Sequence, residues 1–398
     1  MRTSCFLWRA GRWVALLGLG GCVESYMPDV VAATNSYLVV DGFINGAGRT
    51  RIRLSRSVNI DVASTTPPVV RGALVYIVDD AGQRYQAREE GTNYGLYVSD
   101  SLQLNPSRQY KLRLTVGNTL TAPIYESELV PLKVTPPIDQ AELVREGEQV
   151  RLLVSAHDAT GQTRYYRWRS YETWEFNSAF RSGLEVRNGK VGLRTTPIYT
   201  CYRSETPSGI QQASTASLSQ DAVTQHGVLD LSGHDERYKI RYSVLVTQAA
   251  ETAGEFAYNE VLRKNTEAVG TVNDPLPSQL TGNVRRVNGN TAEPVLGFVG
   301  AHTVAQRRLF ATPASLGLPR DWSFAAPYKC VIDTERAPDP KDKPSQQVHL
   351  PYTKLFKSGD NVPTEYYLVG SDTLGYLGAL RACVDCRTRG TSNPPSFW

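Results

Sequence analysis

Two cysteines near the C-terminus, Cys383 and Cys386, stand in a C-x-x-C spacing within RACVDCRTRG. That spacing serves three chemistries: a pair of zinc ligands, a redox-active dithiol, or half of a disulfide framework. Asp385 between the sulfurs disfavours a thiolate, and Arg387 only partly offsets it. No second C-x-x-C accompanies the pair, as a four-cysteine zinc site would want. The histidines at 157, 226, 234, 302 and 349 form neither H-x-H nor H-E-x-x-H. No G-x-S-x-G elbow and no G-x-x-x-x-G-K-[ST] loop occurs. His234, Asp235 and Glu236 in SGHDERY read as a polar turn, with a metal trio as the sharper alternative. The sequence therefore points to a protein that is not an enzyme, with no catalytic residue, metal or cofactor to assign.

The redox compartment decides among the cysteine chemistries, and the N-terminus states it. Arg2, Arg9 and Arg12 make a positive region, followed by a short apolar run from Trp13 to Leu19. That run falls well below the roughly 20 residues that span a bilayer. It ends in Leu19-Gly20-Gly21-Cys22, which resembles a bacterial lipobox. The small residues let a signal peptidase reach the bond before Cys22. The reading is a signal peptide over 1–21, lipidation at Cys22 and a tether over 22–36. One acyl chain holds weakly and two or more hold firmly, at about 0.8 kcal/mol per buried CH₂. In the tether, Glu24 and Asp29 resemble a surface-export signal, so the cell-surface and periplasmic faces of the outer membrane both stay open.

Cys5 leaves with the signal, and Cys22 takes lipid. The remaining cysteines are Cys201, Cys330, Cys383 and Cys386. An even count in an exported chain favours two disulfides, in one of about three connectivities that sequence does not distinguish. Removing residues 1–21 takes away three arginines and no acid, so the formal charge falls from +4 to +1. Such a chain carries no electrostatic footprint for nucleic acid.

The elements that must position any site are strands. Residues 37–132 read as a β-sandwich. RTRIRLSRS turns Thr50, Ile52 and Leu54 to one face and arginines to the other. QYKLRLTVGN sends Tyr110, Leu112, Leu114 and Val116 inward. The run GALVYIVDDAGQRY…YKLRLTV resembles a transthyretin-like sandwich, with an immunoglobulin-like module as the alternative. Pro131, Pro136 and Pro137 mark a linker. Residues 138–398 read as a larger β-rich region with one or two helices, open to subdivision near 250. In RYYRWRSYETWEF, Tyr166, Trp168, Trp174 and Phe176 share one face, opposite Arg167, Arg169 and Tyr171. An aromatic stripe of this kind is ordinarily a sandwich core, and a ligand-stacking platform is the alternative. AGEFAYNEVLRKNTEAVG reads as a helix with Tyr258, Val261, Leu262 and Asn265 on one face and Gly270 as its stop. The fold class is mainly β.

The ordered set of YLVVDGFIN, GALVYIVDDAGQRY, YYRWR, CYRSE, RYSVLVTQ, YNEVLRKNTEAVGTV, DPLPSQLTGNVRRV, EPVLGFV and the terminal CVDCRTRGTSNPPSFW resembles the Bacteroidota outer-membrane lipoprotein family known as domain of unknown function 4249. Gly390-Thr391 departs from the Gly-Gly that usually follows C-x-D-C-R there. The resemblance implies an accessory lipoprotein at the outer membrane, beside a TonB-dependent receptor in nutrient uptake. It carries over no catalytic residue. A structural or adhesive surface role is the alternative, and an extracytoplasmic hydrolase stands behind both. Arg167, Trp168, Arg169 and Trp174 are the candidate ligand or partner contacts.

Overall fold

The computed structural model describes residues 36–58, 67–267, 280–336 and 354–398. Cys22, the signal before it and the tether as far as residue 35 lie outside the described residues. So do the Gly270 helix stop, His349 and nearly all of the charged loop from Arg336 to Gln347.

The chain is mainly β, and side-chain alternation explains why. In the strand Ala47–Arg56, Thr50, Ile52 and Leu54 are fully buried while Arg49 and Arg51 face water. Tyr110, Leu112 and Leu114 point into the same core from Gln109–Thr115, and Val116 packs at its margin. The turn at Asp79–Gly82 closes because the Asp79 carboxylate accepts from the amides of Ala81 (3.0 Å) and Gln83 (2.8 Å). These elements belong to an eleven-stranded sheet wrapped around one apolar core.

The first sandwich is finished by residues from far along the chain. Val284–Arg286 pairs with Ile124–Ser127 at one edge of the sheet. Val295–Leu296 and Ala301–His302 run parallel to Leu38–Asn45 at the other. Both edges are thus covered by one late segment, whose own strands are only two or three residues long. Gly297 makes the close approach possible: its φ is +124°, and a Cβ there would collide with the Val40 carbonyl.

Two further sheets face each other across a second core. One holds Gln140–Glu146, Gln149–His157 and Ala222–Ser232. The other is centred on Tyr165–Asn177, flanked by Thr200–Glu205 and Gln211–Ser214 on one side and by Arg241–Ala250 and then Val304–Ala311 on the other. Pairing of Arg241–Ala250 with Val304–Ala311 carries one sheet across position 250. The linker predicted at Pro131–Pro137 is an extended strut pinned to the returning chain. Lys133 N donates to Ala301 O (2.9 Å), and Thr135 N donates to Thr303 Oγ1 (2.8 Å). A smaller C-terminal sheet pairs Asn361–Val369 and Asp333–Arg336 with Asp372–Leu380.

Candidate functional site

The C-x-x-C motif is a clasp. Cys386 bonds Cys201 and Cys383 bonds Cys330, with Cα separations of 5.6 and 5.8 Å. The neighbouring cysteines thus go to different partners, and all but the partly buried Cys330 sit in apolar cores. Asp385 between them caps the short turn Cys386–Thr388, accepting from Arg387 N (3.1 Å) and Arg387 Nε (2.8 Å). Those bonds from Arg387 hold the Asp385 carboxyl below its usual range despite burial, which acts the other way. Arg389 then grips Glu236 at 2.6 Å and lies 4.2 Å from the Phe176 ring centroid. Glu236 belongs to the SGHDERY trio, whose members are spent separately. Asp235 pairs with Arg237 at 3.0 Å, and His234 stacks on Trp322 at 4.2 Å. Among the described residues no three side chains converge as metal ligands.

A different constellation lies where the two large cores meet the helix Ala253–Glu267. Thr252 begins the helix by accepting from the amide of Glu255 (3.2 Å), half of a capping box. The Glu255 side chain is carried inward with Asn259, one turn on. The helix therefore buries a polar stripe, while Tyr258, Val261, Leu262 and Asn265, its predicted common face, are each only half-buried. Glu251, fully buried just before the helix, accepts from Gln212 Nε2 (2.6 Å) and Asn259 Nδ2 (2.8 Å) and lies 3.0 Å from Arg167 Nε. Glu255 is 3.8 Å from Arg167 and 3.7 Å from His302 Nε2. Gly300 has no room for a Cβ, which would strike the Glu255 carboxylate.

Burial, reinforced by the charge on Glu251, pushes Glu255 up to about 8. Burial, reinforced by Arg167, drives His302 down to about 3. Glu255 and His302 are thus mainly neutral at pH 7. His302 stacks on Phe43 at 4.0 Å and uses Nδ1 toward the Thr303 carbonyl at 3.1 Å. One buried cation, Arg167, faces one buried anion, Glu251, so no net charge is trapped. Glu255 is a carboxyl with a shifted pKa, which invites a general-acid reading. Its side chain is only 4% exposed and is packed on Gly300, at the wall of the adjoining cleft.

Beside this cluster opens a cleft of about 750 Å³, walled by Leu38–Asn45, Tyr165–Asn177, the loop Thr206–Ile210, the helix and Leu296–Phe298. That volume lies within the roughly 300–1,000 Å³ of small-ligand sites. Of the four predicted contacts, Arg167, Trp168 and Arg169 line it. Arg167 is consumed by the glutamates. Arg169, two residues on along the same face, has no hydrogen bond or ion pair among the described residues. The cleft walls displace water from its guanidinium and Arg167 repels it, so its pKa is lowered, although solvent still reaches it.

Trp174 is corrected to a core residue, 4% exposed, and Trp168, although it lines the cleft, is itself 0% exposed and packed in the core. Strand alternation turns them away from the arginines. Trp168 Nε1 donates to Gln248 Oε1 (2.8 Å), while Trp174 lies 4.8 Å beneath the Arg237 guanidinium. The sequence reading also missed Glu251, Glu255 and His302. The Thr-x-x-Glu start of the helix was a visible signal for one of them.

No curated protein matches this chain. A crystal structure of a DUF4785 family protein from Legionella pneumophila subsp. pneumophila str. Philadelphia 1 is 9% identical, with a TM-score of 0.18. That match covers 52% of this chain and 51% of the other, so the chain spans about half the length of that protein. At that similarity it bears no weight for this chain. The family described as "Domain of unknown function (DUF4249)" matches residues 23–308, the greater part of the sequence, and the chain belongs to that family.

Proposed function

We propose that this protein is a lipid-anchored binding lipoprotein of the Bacteroidota outer membrane, serving a TonB-dependent transporter in nutrient uptake, and that it is not an enzyme. The observation that carries the reading is the cleft of about 750 Å³ with its guanidinium, Arg169, unpartnered among the described residues, between a first β unit whose edges are covered by residues 284–302 and a second braced by the Cys201–Cys386 disulfide. A rigid concave site with a few free polar groups binds and orients. The lipobox at Cys22 and the family resemblance support the tether and the transporter partner.

The test is capture of the full-length lipoprotein from membranes in mild detergent, followed by mass spectrometry. Recovery of a TonB-dependent barrel in stoichiometric amount is the expected result. Recovery of no transporter subunit overturns the partnership. Loss of adhesion with intact uptake in a deletion strain would transfer the protein to the structural or adhesive class.

A further inference from the structure

We infer that the cleft binds a small zwitterion with an apolar body, a free amino acid or a short peptide, its carboxylate on Arg169 and its ammonium toward Asp41. The inference rests on the cleft being a binding site and names the ligand class. Its ground is which charges there are already spent. Arg167 is taken by Glu251, and Glu267 at the far end is taken by Arg263 at 2.9 Å. Arg169 and Asp41 line the same cleft, are both solvent-accessible, and have no hydrogen-bond or ion-pair partner among the described residues. They sense each other's charge without pairing.

A ligand bearing both signs satisfies both groups. A simple anion leaves Asp41 opposed to it, and a neutral sugar covers two charges without neutralising either. The rest of the cleft is apolar where a side chain would lie. Tyr258 and Phe298 pack with ring centroids 5.6 Å apart, which presents the half-buried Tyr258 ring as a contact surface. Leu262 and Ile210 extend that wall. The exposed loop at Thr206, Ser208 and Gly209 adds hydroxyls and main-chain groups suited to a peptide bond.

The test is calorimetric titration of the purified full-length lipoprotein in mild detergent with phenylalanine and leucyl-phenylalanine. The comparison probes are phenylacetate, phenethylamine, N-acetylphenylalanine amide and cellobiose. The zwitterions should bind, and each analogue that lacks one charge should bind roughly 10- to 100-fold more weakly, the value of a charge-assisted hydrogen bond. Which of the two zwitterions binds tighter assigns the ligand as free amino acid or peptide. Arg169→Gln and Asp41→Asn should each weaken zwitterion binding by about tenfold or more. Both should melt with wild type, because neither side chain has a partner to lose among the described residues. Equal binding of phenylacetate and phenylalanine, preference for cellobiose, or no binding of either zwitterion overturns the inference. A transporter recovered in the capture experiment would leave the tethered-accessory reading standing in any of those cases.

Discussion

Opening the disulfide clasp gives the sharpest test of how the second core is held. The perturbation is the double variant Cys201→Ala/Cys386→Ala, compared with Cys330→Ala/Cys383→Ala. Alanine is chosen because Cys201, Cys383 and Cys386 are at most 2% exposed, and serine would bury unpaired hydroxyls there. The first bond spans 185 residues and the second 53. Restored chain entropy in the unfolded state gives about 5 kcal/mol for the longer loop and about 4 kcal/mol for the shorter. The shorter loop is nested inside the longer, so the outer figure falls by only a few tenths when the inner bond is kept.

The assay is guanidinium unfolding followed by tryptophan fluorescence, which reports this core because Trp168 and Trp174 lie within it. Peptide mapping without reduction checks the pairing at the same time. The outer variant should lose the most stability, the inner variant about 1 kcal/mol less. A loss below about 1 kcal/mol for the outer pair, or a mapped Cys383–Cys386 bond, would refute the clasp.

Glu255→Gln should alter the pH dependence of stability. The folded chain holds the Glu255 proton up to about 8, against an ordinary value of 4.5, so its stabilising effect is complete below 4.5 and is lost as pH rises through 8. Relative to wild type, the glutamine variant should gain up to about 4 kcal/mol between pH 5 and pH 9, and parallel stability curves would remove the assigned protonation. Trp168→Ala should cost about 4 kcal/mol by emptying the core and orphaning Gln248 Oε1, as measured by urea unfolding. A cost below about 1 kcal/mol would return Trp168 to the surface. Cys22→Ser should release the protein from washed membranes into the soluble fraction, whereas continued sedimentation with membranes would contradict a lipid tether.

Much of this architecture is legible in the order of the residues. Alternation alone puts Thr50, Ile52 and Leu54 inward, and Tyr166 and Trp168 opposite Arg167 and Arg169, because a strand sends successive side chains to opposite faces whatever its neighbours are. An even count of cysteines after a lipobox predicts two disulfides on chemical grounds, and the helix after residue 250 announces itself by period. None of these depends on contacts distant in sequence.

What tertiary structure alone decided is every question of partnership. Cys383 and Cys386 pair apart because their turn faces two different apolar clusters, a fact absent from their spacing. Residues 284–302, which the sequence reading placed in the second region, return to cover both edges of the first sheet. The helix buries Glu255 and Asn259 because Arg167 and Glu251 wait there, and propensity does not see them. Arg167 and Arg169 are the same residue type on the same face of one strand. Only the arrival of Glu251 from about 85 residues further on neutralises one and leaves the other, among the described residues, free to meet a ligand.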